Sequence, residues 1–214
     1  MPVDGLHGML SNVRYKSLAG TSVLRDFVEL PSQLFEHWIS EPEVMKKHLK
    51  HHETGEVIPD DLIAKMKAAR AFNQGFATIE YTASALVDQV LHALTSEKLK
   101  EGVLDLKKVE EESLAELGMP QGIIMRHRPA HFSHLFSSSS YAASYYCYLW
   151  AEVLDADAFD AFKESGNCFD KSTAERLRAC IYSTGNSVEP GEAFRKFRGR
   201  DPVVDPMLRK KGLI

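Results

Sequence analysis

No run of about 18 apolar residues, the length a bilayer-spanning helix needs, occurs in the chain. The N-terminal "MPVDGLHGMLSNVRYKS" also lacks the continuous apolar core of a secretory signal. Neither membrane insertion nor secretion is expected. Cysteine is scarce: Cys147, Cys168 and Cys180 are odd in number and lack metal-type spacing, which speaks against a disulfide framework and points to the cytoplasm. Charge of one sign is missing too, since 26 Lys and Arg stand against 30 Asp and Glu for a net charge of -4. No global field recruits nucleic acid or anionic membrane, so neither is expected as a partner. The chain has no HExxH, no CxxC pair and no Gly-rich phosphate loop. Strand-length stretches of alternating polarity are absent as well, which leaves an all-α fold class.

What is present is apolar residues at helical spacing. Val23, Phe27, Leu30, Leu34 and Trp38 form one series. A second, from Leu62 through Met66, Phe76, Ile79, Leu86 and Val90 to Leu94, predicts one long helix, with Asp60 or Asp61 as N-cap. Gly75 inside it hints at close packing or a bend. Leu104 to Leu117 reads as a short acidic helix closed by Gly118, and "MRHRPAHFSHLFSSSS" as a loop. The helical pattern resumes from Tyr141 to Phe162; "DKSTAERLRACIYSTG" predicts a capped helix, and two short helices cut by "GRDP" end the chain. With no repeat or linker, residues 1–214 are expected to form a single compact, multi-helix domain.

Residue types alone do not assemble a complete active site. His48 and His52 are spaced i and i+4 and suit either a metal pair or a solvated helix end favoured by the dipole. His127, His131 and His134 recur at four and three, but Pro129 interrupts any helix there. The aromatic run Tyr141, Tyr145, Tyr146, Tyr148 and Trp150 suits core packing as well as a site. Glu29, in "RDFVELPSQLFEHW", lies among apolar neighbours at the start of a helical pattern, where free amides stabilise a carboxylate with or without a metal.

The blocks "LAGTSVLRDFVELPSQLFEHW", "RAFNQGFATIEYTASALVD", "HFSHLFSSSSYAASYYCYLWAEVLDADAF" and "FRGRDPVVDPMLRKKGL" occur in that order. They resemble the thimet oligopeptidase family of zinc metallopeptidases, in its peptidyl-dipeptidase and oligopeptidase A branch, from about residue 7 to the C-terminus. The resemblance implies the C-terminal part of the catalytic region of a helical zincin-type oligopeptidase that cleaves short peptides. In such enzymes zinc is held by the two histidines of HExxH and a distal glutamate, and the HExxH glutamate is the general base. The distal ligand maps to Glu29. A histidine and tyrosines that bind substrate and stabilise the oxyanion map to His134, Tyr141, Tyr145 and Tyr148, with Tyr145 as the substrate-binding one.

Two departures accompany the resemblance. "GLHGMLS" aligns with the end of the family's HEFGHALHG, which puts His7 on the third, non-ligand histidine, Asp4 where the second zinc histidine stands, and Met1 on the catalytic glutamate. The expectation is a chain that starts inside the catalytic motif, is inactive alone and has doubtful zinc occupancy. A missing N-terminal half, or self-association through apolar surface, is expected as a partner. The alternative is a non-catalytic helical remnant that binds peptides or another protein. The second departure is Ser137–Ser140, where many members have glycines; serine is penalised at positive φ, which would restrict a mobile loop.

Overall fold

A computed structural model describes residues 2–100, 102 and 104–214, with only the backbone described for Pro2, Val3, Asp4 and Lys100. The catalytic-glutamate position at Met1 and the side chain of Asp4 lie outside the described residues. Twelve α-helices and no strand occur among them, so the all-α expectation holds. The helices are α1 (Pro2–Leu10), α2 (Leu30–Glu36), α3 (Pro42–His48), α4 (Asp60–Ala71), α5 (Gln74–His92) and α6 (Ser96–Lys100). They continue with α7 (Leu106–Glu116), α8 (Ser133–Phe136), α9 (Cys147–Glu164), α10 (Lys171–Leu177), α11 (Pro190–Arg198) and α12 (Asp205–Lys211). The chain divides into two compact units, one of residues up to Gln74 with Leu149–Ile214 (unit 1), the other Gly75–Tyr148 (unit 2).

In unit 1 the apolar face of α9 is the centre of the core. Leu154, Ala158, Ala161 and Phe162 recur at helical spacing and, with Phe159, pack against Phe27, Leu30 and Leu34 and against Ile181, Tyr182, Phe194 and Phe197. Val153 and Ala156, on another face of α9, meet Met207 of α12. α10 is capped by Asp170, whose carboxylate accepts from the Thr173 amide at 2.8 Å, and runs into a π-helical turn at Arg178–Tyr182. Within that turn the Tyr182 hydroxyl donates to the carbonyl of Pro31 at 3.0 Å, tying the turn to α2. Burial pushes the Tyr182 phenol well above the ordinary tyrosine range.

Two buried carboxylates need partners, and both have them. Asp157 accepts from Arg198 Nε at 2.9 Å, from both terminal nitrogens of Arg200 at 2.6 and 2.7 Å, and from the Val203 amide at 2.9 Å. Burial alone would raise its carboxyl; the Arg200 and Val203 hydrogen bonds and the Arg198 charge outweigh burial and hold it below the usual range. Arg198 spends its remaining nitrogens on Glu164, bidentate at 2.7 and 2.8 Å. Asp155 takes His37 Nε2 at 2.5 Å and Lys210 Nζ at 3.1 Å, both on Oδ1.

Unit 2 has a smaller apolar cluster, Ala83 and Val87 of α5 with Leu114 and Met125. Its buried Glu110 is held by Arg128, whose Nε lies 3.1 Å from each carboxylate oxygen.

Three local expectations are corrected. The long helix predicted from Leu62 to Leu94 is two helices, α4 and α5, because Asn73 adopts a left-handed φ of 58°, a conformation Asn tolerates better than most residues. Gly75 is not closely packed, since a Cβ there would meet nothing within 4 Å, and it is not among the glycines with positive φ. α4 starts at Asp60 itself, with Pro59 in the cap position and no side-chain cap. The helix expected from Tyr141 begins only at Cys147, because Ala143 has φ 53° and its amide bonds to Asp88 instead of a helical carbonyl.

Candidate functional site

Glu29 is the residue that precedes α2 and caps it by position, with φ -87° and ψ -12°. Its neighbours Phe27, Val28 and Leu30 are buried at 3%, 5% and 0% exposure, while Glu29 itself remains partly exposed. The alternation follows from the short turn entering α2, which sinks the apolar residues into the unit 1 core. Ser32 donates to the Glu29 carbonyl at 3.0 Å and to its carboxylate Oε2 at 3.3 Å, which orients the side chain from one turn on. His7, the position of the third family histidine, is buried at 1% exposure and packs edge-on to Tyr182, ring centroids 5.8 Å apart.

Among the described residues no group of three His, Cys, Asp or Glu side chains is placed to hold a metal ion. A catalytic zinc needs three protein ligands and an open position. The described residues therefore do not by themselves fit the metal; Glu29 would supply a single carboxylate. His48, His51 and His52 are exposed at and after the end of α3. The ring of His127 stacks on Phe132 at 4.6 Å.

In unit 2 the other site residues come together. His134, on the one-turn helix α8, has Nε2 2.9 Å from the Tyr148 hydroxyl and shares a hydrogen bond with it. The Tyr141 ring stacks on His134 at 4.4 Å and 29°. Tyr145 packs in T-shaped fashion with His134, at 5.9 Å and 74°, and with Tyr148, at 5.7 Å and 71°. Four residues spread over 15 positions thus form one aromatic cluster with phenol and imidazole groups in reach of one another. Burial raises the Tyr145 phenol above its ordinary value; the Arg126 charge opposes this and Cys147 adds to it. A neutral phenol is an O–H donor, so the cluster can present hydrogen-bond donors to a carbonyl oxygen that gains charge.

The segment read as a loop holds short helical turns. A 3-10 turn at Pro129–His131, α8, and a second 3-10 turn at Ser139–Tyr141 occupy it. Ser138 is extended at φ -156° and accepts from the Ser140 amide at 3.3 Å, and none of Ser137–Ser140 adopts a positive φ. The steric penalty expected of serine does not arise in this conformation.

Sequence reasoning did not single out Asp88, which is buried at 1% exposure on α5. Its signal was available: a carboxylate among Ala83, Val87, Val90 and Leu94 on a core-facing helical pattern, with His92 one turn on. A cavity of about 720 Å³ in unit 1, lined among others by Phe35, Trp38, Phe162, Phe169 and Tyr182, contains none of the residues assigned by the resemblance.

The chain belongs to Peptidase family M3, whose family model matches residues 4–213. It is 37% identical to a dipeptidyl carboxypeptidase of Salmonella typhimurium over 97% of this chain. To oligopeptidase A of Escherichia coli it is 39% identical over 98%, and to a thimet-like oligopeptidase of Dictyostelium discoideum 31% identical over 97%. The chain spans about 30% of the length of each of these relatives.

Proposed function

We propose that this polypeptide is the C-terminal portion of the catalytic region of a cytoplasmic zinc-dependent oligopeptidase or peptidyl-dipeptidase that hydrolyses short peptides. The observation that carries this reading is the His134–Tyr148 hydrogen bond inside the Tyr141–Tyr145 aromatic cluster. In it, His134 donates to the Tyr148 oxygen and leaves the Tyr148 O–H to donate to the scissile carbonyl oxygen as it becomes an oxyanion, Tyr141 supports the imidazole by stacking, and Tyr145 receives the peptide. Preorganised donors of this kind cost no reorganisation as charge develops. Glu29 descends from the distal metal ligand, and when bound the zinc would supply an activated water. The names of the relatives, carboxypeptidase and oligopeptidase, support peptides as the substrate class.

The 214 residues contain no HExxH, so the polypeptide alone is expected to release no dipeptide and to hold no stoichiometric zinc. Mixed with the N-terminal portion of Escherichia coli oligopeptidase A carrying that motif, it is expected to release product. In that mixture Tyr148→Phe should lower kcat about 100-fold, the effect of removing one oxyanion donor. Hydrolysis by the chain alone would sink the division of roles. Equal kcat for the two mixtures would sink the role of Tyr148.

A second reading, a non-catalytic peptide- or protein-binding remnant, is favoured by the lack of a three-donor group among the described residues. Exposed Phe72, Phe76 and Ile79, at 82%, 48% and 62%, support association with another polypeptide or a second copy under either reading. Zinc and activity in the mixture separate the two.

A further inference from the structure

The turn that carries Tyr145 departs from helix for a reason found 55 residues earlier in the chain. Ala143 sits at φ 53°, a left-handed conformation that side-chain-bearing residues hold only when their surroundings impose it. Both backbone groups of Ala143 and both of Tyr145 are bound by side chains of α5. Asp88 Oδ1 accepts from the Ala143 amide at 3.1 Å and Oδ2 from the Tyr145 amide at 2.9 Å. Gln89 Nε2 donates to the Ala143 carbonyl at 2.6 Å, and the Tyr81 hydroxyl donates to the Tyr145 carbonyl. Tyr81 also stacks on the Tyr145 ring at 4.9 Å. On its own helix Asp88 is paired with His92, Nδ1 to Oδ1 2.8 Å, so the buried carboxylate is oriented from behind as well.

We propose that Asp88 is a positioning residue for peptide handling: by holding the Ala143 and Tyr145 amides it sets the turn that presents Tyr145 to the His134–Tyr148 pair. The inference rests on the reading of that cluster as the peptide site. Asp88 acts through the backbone, at the amides of Ala143 and Tyr145. Its two oxygens accept from two amides two residues apart, a geometry that neither Asn nor Ala reproduces, since Asn turns one acceptor into a donor facing an N–H. The raised Tyr145 phenol accords with a ring held in a half-buried position.

The test uses the full chain labelled with carbon-13 at tyrosine Cζ and methionine Cε. In Asp88→Asn the titration midpoint of Tyr145 should fall toward the ordinary value of about 10. The methyl of Met125, in the apolar cluster of unit 2, and the phenol of Tyr182 should keep their wild-type signals and so report an intact fold. A folded Asp88→Asn chain in which Tyr145 titrates as in wild type would overturn the inference. Amide exchange in the unsubstituted chain decides even if the variant unfolds. Ala143 and Tyr145 amides slowed at least tenfold against an unstructured peptide support the clamp, and exchange at the peptide's rate removes it. Acetyl-tetra-alanine then separates the inference from the reading beneath it. It should shift the Tyr148 signal in wild type, with at least tenfold more peptide needed for Asp88→Asn. Equal response in both overturns the positioning role while leaving the peptide site. A wild-type chain with slow Ala143 and Tyr145 amides but no response to peptide overturns the peptide site, and the positioning role falls with it.

Discussion

The two units hold their shapes by different means. Unit 1 has fourteen buried apolar residues in one cluster around α9, and its buried charges close on one another, Asp157 with Arg198 and Arg200, Asp155 with His37 and Lys210. Unit 2 buries four in its cluster, and its longest-range connections include directional ones, from Asp88, Gln89 and Tyr81 to the backbone of residues 143–145. Apolar burial is large but non-directional, whereas a carboxylate accepting two amides specifies an orientation. Of the residues with candidate chemistry, Glu29 lies in unit 1, and His134, Tyr141, Tyr145 and Tyr148 lie in unit 2, where the smaller apolar cluster leaves more of the geometry to hydrogen bonds. Such a region is also expected to open locally at lower free energy than one with a large core.

Phe159→Ala is the largest test of that contrast. Phe159 is 1% exposed, stacks on His37 at 4.6 Å and meets Trp38 edge-on at 4.8 Å. Its truncation should cost about 4 kcal/mol, read as a lower urea midpoint with loss of amide protection across unit 1. A cost under about 1 kcal/mol would mean that the unit 1 cluster is not the main source of its stability.

Asp157→Asn comes next and carries a pH signature. The substitution leaves Arg198 and Arg200 with a neutral partner in a buried site, at a cost of about 3 kcal/mol at pH 7. Because the folded-state pKa of Asp157 is depressed, its contribution is present above the unfolded value of about 3.9 and is lost as pH falls through the folded value. Wild type should therefore converge on the variant in acid, with little difference left once Asp157 is protonated. Urea melts at pH 7, 4 and 3 check this, and a gap that stays constant down to pH 3 would assign the stability to another group.

How much of this could be read from the residues depends on the kind of force. Periodic apolar positions such as Leu30, Leu34, Leu154, Ala158 and Phe162 announce helices and a core, because burial responds to hydrophobicity and spacing alone. Blocks such as "RDFVELPSQLFEHW" and "HFSHLFSSSSYAASYYCYLW" were enough for the family resemblance. The break at Asn73 and the late start of α9 were not legible, since each depends on a backbone dihedral, and at Ala143 that dihedral is held by side chains more than 50 residues away. The meeting of His134 with Tyr148 was expected from the resemblance only as membership of one site; the 2.9 Å contact and the stacking angles are tertiary facts. Asp88 shows the same limit from the other side, a buried charge on an apolar face whose partners, apart from His92, are backbone amides that spacing cannot reveal.

The smallest of these effects tests unit 2 directly. Val87 is 1% exposed in the cluster with Ala83, Leu114 and Met125, and it immediately precedes Asp88 on α5. Val87→Ala removes two methyl groups, at about 0.8 kcal/mol each plus a cavity term, so about 2 kcal/mol. In so small a cluster that loss is a large share of what holds α5 against α7, and the measurement is amide exchange at Ala83 to Leu91 beside Ala158 to Phe162. If the contrast between the units is real, the α5 amides should exchange about 30-fold faster, the factor to which 2 kcal/mol converts, while the α9 amides of unit 1 keep their wild-type rates. Acceleration of both sets together would mean that the two units unfold as one cooperative body, and the difference in how they are built would then not be a difference in how they open.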